Sequence, residues 1–278
     1  MPPREFILLD SMFHPHNDLM HLSPALKRSS MGSMRARTTL AFASALLALG
    51  WVAAAAQDMM RHVDLSSPEM TTAEMSRADV EAAIAGATPA RPVDLTGKKL
   101  SGLDLSGLDL SGAVLRAAWL NRTKLAGAKL NRAILDQAWL IEADLSRASL
   151  KGVGMFAAQM QRARLDGADL SGARIAADLT GASLAGAVLV GADLGADMKN
   201  QSMGLMRAVL REANLSRVDF EFASLKEADL TNATLRGADL AGAALIGVTI
   251  AGADFQGADL ASARLIAPIG LELARNFA

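Results

Sequence analysis

The chain has no cysteine and no tyrosine among its 278 residues, and only four histidines. Without cysteine, one whole class of nucleophile is missing. The histidines are His14, His16, His21 and His62, so everything after His62 lacks an imidazole base. A serine with no such base beside it is not an activated nucleophile. The carboxylates recur at a fixed interval and do not gather into a pair. Together these absences point away from an enzyme, with no catalytic, cofactor-binding or metal-binding residue to name. Charge of one sign is missing as well. The net charge is −1 for the whole chain and +1 from Arg91 onward. A nucleic-acid-binding surface would be strongly basic, and a mimic of duplex DNA strongly acidic, so no nucleic-acid partner is expected.

The only long apolar run is Leu40–Val52, about 13 residues against the roughly 20 that a membrane-spanning helix needs. Arg35 and Arg37 precede it, and Ala54-Ala55-Ala56 follows it as an A-x-A site before Gln57. Residues 34–56 therefore read as a signal peptide cleaved after Ala56, which places the protein in the bacterial periplasm or outside the cell. Membrane contact is expected only if that segment is retained. Residues 1–33 carry no periodicity and read as an unstructured upstream extension, with Met31 or Met34 as the start that makes the signal N-terminal. A chain begun at Met34 is expected to be exported normally.

What the sequence has in abundance is leucine at every fifth position. The series is unbroken from Leu95 to Ile175, continues one residue out of phase at Leu179, Leu184, Leu189 and Leu194, and resumes in the original phase from Leu205 to Leu265. Of these 34 positions 28 are Leu, and the others are Met155, Met160, Ile175, Phe220, Ile250 and Phe255. Five fits neither regular period. Every fifth residue of an α-helix rotates by about 140° and makes no stripe, while on a strand it alternates between faces. The chain must turn a corner within each repeat, which means a solenoid.

Other slots of the repeat agree. Two residues before the leucine stands a small residue, as at Ala113, Ala128, Ala168, Ala213 and Ala238, suited to a narrow interior. Between them comes Asp or Asn, as at Asp144, Asp169, Asn214 and Asp239, whose short side chain can accept from a nearby backbone N–H and tie the turn. Glycine is frequent where the backbone bends most, for example Gly107, Gly127 and Gly167.

Units such as Ala168-Asp169-Leu170-Ser171-Gly172, Ala213-Asn214-Leu215-Ser216-Arg217 and Ala238-Asp239-Leu240-Ala241-Gly242 resemble the A-(D/N)-L-x-x unit of the pentapeptide-repeat family. The resemblance covers about residues 93–266. It implies an all-β fold, a right-handed quadrilateral β-helix over residues 91–266 with four pentapeptides per coil. At a spacing near 4.8 Å, about eight coils would make a rod roughly 40 Å long. Residues 57–90 form the segment before it. There Thr71-Thr72-Ala73-Glu74 reads as a capping box opening a helix over about 72–85, ended by Gly86, with Val80, Ala83 and Ile84 on its apolar face. An open β-helix end recruits further strands, so this helix is expected to cap it. Residues 267–278, with Ile269, Leu271, Leu273 and Phe277, are expected to form a second cap or a self-association surface through which the solenoid end makes a homodimer.

Candidate binding residues cluster in two places. Regularity fails over Gly195–Gly204, and solenoids accept insertions as loops that often bind. Met198, Lys199, Asn200, Gln201 and Met203 are the candidates there. The methionines also suit Cu(I), but Met155 and Met160 at core positions show methionine serving as filler. With four repeats per coil, Trp119 and Trp139 stack on one face in neighbouring coils, either as a contact surface or as wall packing. The same spacing lines up Asp104, Lys124, Asp144 and Arg164 as an alternating ladder, and Asp219, Asp239 and Asp259 as a like-charged column. The expected function is that of a non-enzymatic, exported β-helical scaffold or protein-binding module with an unknown protein partner in the cell envelope. The resemblance also implies an alternative, because some members mimic DNA and bind DNA gyrase in the cytoplasm. Balanced charge and the export signal depart from that pattern.

Overall fold

A typical leucine of the repeat opens a four-residue turn. Its carbonyl accepts from the amide three residues on, as in Ala113 N–H to the Leu110 carbonyl at 3.0 Å and Ala168 N–H to Leu165 at 3.0 Å. The third residue of the turn lies in the left-handed region, with φ of 70° at Gly112 and 65° at Gly167. Positive φ at this position alone defines a type II turn, where glycine is preferred. In a computed structural model of the chain, the described residues are 64–277 apart from 65, 89 and 197–205. The expected extension 1–33, the signal peptide 34–56, His62, and the candidates Met198, Lys199, Asn200, Gln201 and Met203 lie outside them.

Between turns the backbone pairs with the coils before and after. Leu95 N–H donates to the Val114 carbonyl at 2.7 Å, and Val114 N–H donates to Val93 at 2.8 Å. This exchange repeats along four columns of parallel bridges that start at Asp94, Lys99, Asp104 and Asp109. The first column runs Asp94, Val114, Ile134, Gly154, Arg174, Asp193, Ser224, Ala244 and Arg264. Eight steps at about 4.8 Å give a stack roughly 40 Å high. Four short strands lie along one corner of the stack: β1 (Gly154–Gln159) pairs in parallel with β2 (Arg174–Asp178), and β3 (Ala244–Ile246) with β4 (Arg264–Ile266).

The central leucines and the alanines two residues before them form one continuous core. Met155, Met160, Phe220 and Phe255 take leucine positions and are buried. The interposed aspartates turn outward and close their own turns. Asp169 Oδ1 accepts from Ser171 N–H at 3.1 Å, and Asp239 Oδ1 from Ala241 N–H at 2.9 Å.

Before the first coil come α1 (Pro68–Thr71) and α2 (Arg77–Ala85). The longer helix starts at Arg77, not near residue 72. Its capping box is Ser76 with Asp79, and the Thr71–Glu74 box does not form. The reason is local. Pro68 begins a separate single turn that ends at Thr72. Glu74 is then held by the first coil, its N–H donating to the Lys99 carbonyl at 2.9 Å and its carboxylate pairing with Lys98 at 3.2 Å. Gly86 does end the helix, and Val80 is fully buried in the solenoid core, with Ala83 and Ile84 packed against it.

At the far end, a 3-10 turn at Leu271–Leu273 follows β4. The Phe277 ring meets Phe255 edge to face at 4.9 Å, while Ile269, Leu271 and Leu273 stay exposed.

Candidate functional site

The regular coil is 20 residues long, and one corner departs from that value twice in succession. The corner joins the first column to the second. In β1 its length is still regular, and its turn residue Ala157 has φ of 56° like the other turn residues of the stack. One coil later β2 is a residue short, so Gln159 pairs with Asp178 only 19 residues on, behind an irregularity in the β1–β2 register. One coil after that, the step from Asp178 to Val209 takes 31 residues, eleven more than the regular coil. The shortening and the lengthening sum to a whole number of pentapeptides, which is why the leucine phase recovers.

Both roots of the insertion are fastened. Ala208 N–H donates to the Leu194 carbonyl at 3.3 Å, so the chain returns to the point where it left. Gly195 N–H donates to Asp193 Oδ1 at 3.0 Å, and Ala196 N–H to the Lys226 carbonyl at 3.0 Å. On the returning side Asp229, 1% exposed, accepts from Arg211 Nε at 2.6 Å and has Arg207 Nη2 at 3.6 Å. Its other oxygen accepts from the N–H of Thr231 at 3.1 Å and from its hydroxyl at 2.6 Å. Burial works to raise the Asp229 pKa, but the Thr231 and Arg211 contacts outweigh it and hold the carboxyl below its ordinary value. The sequence reading passed over Asp229. Its signal was faint: an Asp in the usual slot with Arg207 and Arg211 a coil earlier.

Trp119 and Trp139 stand in the second column, where they are bridge partners. Their rings stack at 6.0 Å with planes 25° apart, and the Lys99 ammonium lies 5.4 Å over Trp119. Both faces of Trp119 are thus taken, one by a cation and one by a ring, and only its edge is left to face a ligand. The same column continues through Gln159 and Asp178 to Val209, at the root of the insertion. Gln161 links that stretch by donating to Gln159 Oε1 at 2.9 Å and Asp178 Oδ2 at 2.8 Å.

The charged columns are as the spacing predicts. Asp104, Lys124, Asp144 and Arg164 are successive bridge partners, with Arg164 3.7 Å from Asp144. Asp219, Asp239 and Asp259 form the like-charged column, and each accepts from the N–H two residues on, at 3.0, 2.9 and 2.8 Å. Among the described residues no three histidine, aspartate or glutamate side chains are grouped to hold a metal.

The profile of pentapeptide repeats matches this chain in eight copies that cover residues 93–196 and 205–266 in overlapping blocks, more than half its length. The chain belongs to the pentapeptide repeat family. Membership implies that the parallel solenoid is a right-handed β-helix, and proteins of this family are generally non-enzymatic structural or binding proteins. Among solved structures, the chain is similar to HetL, a pentapeptide repeat protein involved in heterocyst differentiation regulation from the cyanobacterium Nostoc sp. strain PCC 7120. The two are 27% identical over 72% of this chain and 97% of HetL, with a TM-score of 0.29. It is also similar to QnrB1, a plasmid-mediated fluoroquinolone resistance protein, at 22% identity over 61% of this chain and 73% of that one, with a TM-score of 0.41. A pentapeptide repeat protein of the Arabidopsis thaliana thylakoid lumen is 30% identical over 40% of this chain and 75% of its own, with a TM-score of 0.22. No curated protein matches the chain.

Proposed function

We propose that this pentapeptide repeat protein is an exported, non-enzymatic binding module of the bacterial envelope that presents a loop from a rigid rod to a protein partner. In this reading the solenoid is a quadrilateral β-helix, α2 is its N-terminal cap, and the chain is cleaved after Ala56. The observation that carries the reading is the 31-residue coil whose two roots meet at the Ala208–Leu194 hydrogen bond. A loop on such a base can be displayed without loosening the coils around it, which is how repeat scaffolds commonly bear binding residues. Met198, Lys199, Asn200, Gln201 and Met203 fall within the eleven added residues, and Trp119 and Trp139 stand in the column that reaches Val209 at their root. The gyrase alternative would require a strongly acidic surface, and the near-neutral repeat region does not supply one.

The test removes residues 197–205. Capture of envelope proteins by the tagged, exported form should disappear, while far-UV circular dichroism and thermal midpoint stay near those of the intact chain. Equal capture by both forms refutes the loop as the binding element. Intact mass of the protein from fractionated cells tests export separately: an envelope form starting at Gln57 supports it, and a full-length cytoplasmic form overturns it.

A further inference from the structure

Beside the interrupted corner the first column is open at a single place. Val114 and Ile134 carry branched side chains there and Arg174 a long one, but Gly154 between them carries none. Glycine is not demanded at this point. Gly154 is absent from the left-handed region, and a Cβ built on it would lie 3.5 Å from Asp136 Oδ1, an ordinary contact. A groove of about 760 Å³ runs over this place, passing Ile134, Gly154 and Phe156 and ending at Asp193, Gly195 and Ala196.

Charge in the groove is unevenly matched. Asp136 is occupied, with Arg116 at 3.7 Å and the Phe156 N–H at 3.1 Å. Asp193 accepts from Gly195 N–H at 3.0 Å. Arg132 and Arg174 border the groove, and among the described residues neither has an ion-pair partner. Arg132 leans along the stack, its Cγ 3.7 Å from the Cβ position of Gly152 in the next coil, and so toward the level of Gly154. Two coil steps, about 10 Å, separate the backbones of Arg132 and Arg174. Carboxylates two residues apart on an extended chain are about 7 Å apart on one face, within reach of two such guanidinium groups.

We propose that the Gly154 groove binds an extended, acidic segment of a protein partner, with Arg132 and Arg174 each taking a carboxylate and Ile134 and Phe156 taking the apolar side chain between them. This rests on the protein-binding reading above and supplies the chemistry of the partner. The arrangement favours an acidic segment, because three guanidinium groups, Arg116, Arg132 and Arg174, line the groove against two carboxylates, Asp136 and Asp193, and Asp136 is already paired with Arg116.

The test is fluorescence anisotropy of the intact protein with a fluorescein-labelled Gly-Glu-Val-Glu-Gly peptide and its Lys-containing counterpart. Saturable binding of the acidic peptide is expected, at least tenfold tighter than the basic one. Gly154→Val narrows the groove at its middle with a side chain already present in the column at Val114, and Arg174→Gln removes one charge. Each should weaken binding at least tenfold with circular dichroism unchanged. Absence of saturable binding, indifference to charge, or full binding by a folded Gly154→Val variant would each overturn the assignment. Loop-dependent capture that survives while the peptide fails discards the groove alone. Peptide binding by a protein that captures no envelope partner keeps the groove and discards the scaffold reading.

Discussion

Replacing Asp229 by asparagine tests whether the insertion is fastened as described. The carboxylate is 1% exposed and has two guanidinium groups against it, Arg211 at 2.6 Å and Arg207 at 3.6 Å. Removing one partner from a buried ion pair costs about 3–5 kcal/mol, because the other is left charged and dry. Here the cost is smaller. The Arg211 side chain is 40% exposed and regains water easily, whereas Arg207 at 16% does so poorly. Asparagine also keeps an acceptor for Thr231 N–H. About 2–3 kcal/mol is therefore expected, or a fall in thermal midpoint of about 4–12 °C for a domain of this size. Urea titration followed by circular dichroism should show a lower midpoint at unchanged slope. Tryptic cleavage after Arg207 should accelerate, since that side chain loses its anchor. The pH dependence has a definite sign. The Asp229 carboxyl is held below its ordinary value, so its stabilisation is complete above about pH 4 and is lost as pH falls through its lowered pKa. In the asparagine variant that loss is absent. A change under about 0.5 kcal/mol, the range of ordinary surface substitutions, would refute the account.

Three further outcomes follow from the same geometry. Ala168 and Ala238 are buried opposite the leucines, so Ala168→Leu or Ala238→Leu should cost about 1–3 kcal/mol by overpacking, measured by urea titration; tolerance of both would mean that the register is wrong. Glu212 adopts φ of 57°, so Glu212→Gly should raise stability by about 0.5–1 kcal/mol, the strain relieved less the extra freedom of the unfolded glycine. Asp254 is held at about 2 by the Asn276 amide, at 2.8 Å, and by Arg236, also at 2.8 Å. Its contribution is therefore complete above about pH 4 and lost towards pH 2, and Asp254→Asn should flatten that part of the acid-unfolding curve.

The solenoid was legible because its determinant is a period, and a period needs no tertiary information. Leu95 and Leu245 report the same interior although 150 residues separate them. The turn residue was legible only in part. Gly107 and Gly167 announce positive φ, but Arg122, Glu142 and Phe222 adopt it as well, with φ of 57°, 59° and 57°. The pairing of every turn into the coils beside it imposes that conformation, so propensity at the turn is overridden. The helix before the first coil shows the opposite limit. Two capping boxes compete within nine residues, and the choice of Ser76–Asp79 depends on Lys98 and Lys99 engaging Glu74, which no local rule reveals. The four repeats per coil that the family resemblance implies placed Trp119 and Trp139 together, yet their ring geometry and the ammonium of Lys99 over one ring required coordinates. Gly154 gave no sign at all, since one more glycine in a glycine-rich repeat carries no information.

The position of the irregularities argues for one working edge. Between Gly154 and Val209 the other three corners keep five-residue steps, as from Gln159 to Arg164, Arg164 to Asp169 and Asp169 to Arg174. At the remaining corner two successive coils depart, by a lost residue and an eleven-residue gain. Random insertion would be expected to scatter over four equivalent corners, since each is exposed and each tolerates a loop on the same physical grounds. The open groove at Gly154 and the column from Trp119 to Val209 flank that same corner on its two sides. The regular corners then act as the frame that fixes the spacing of the irregular one. On a charge-balanced solenoid whose other corners repeat, specificity is carried by the shape and charge of such an edge.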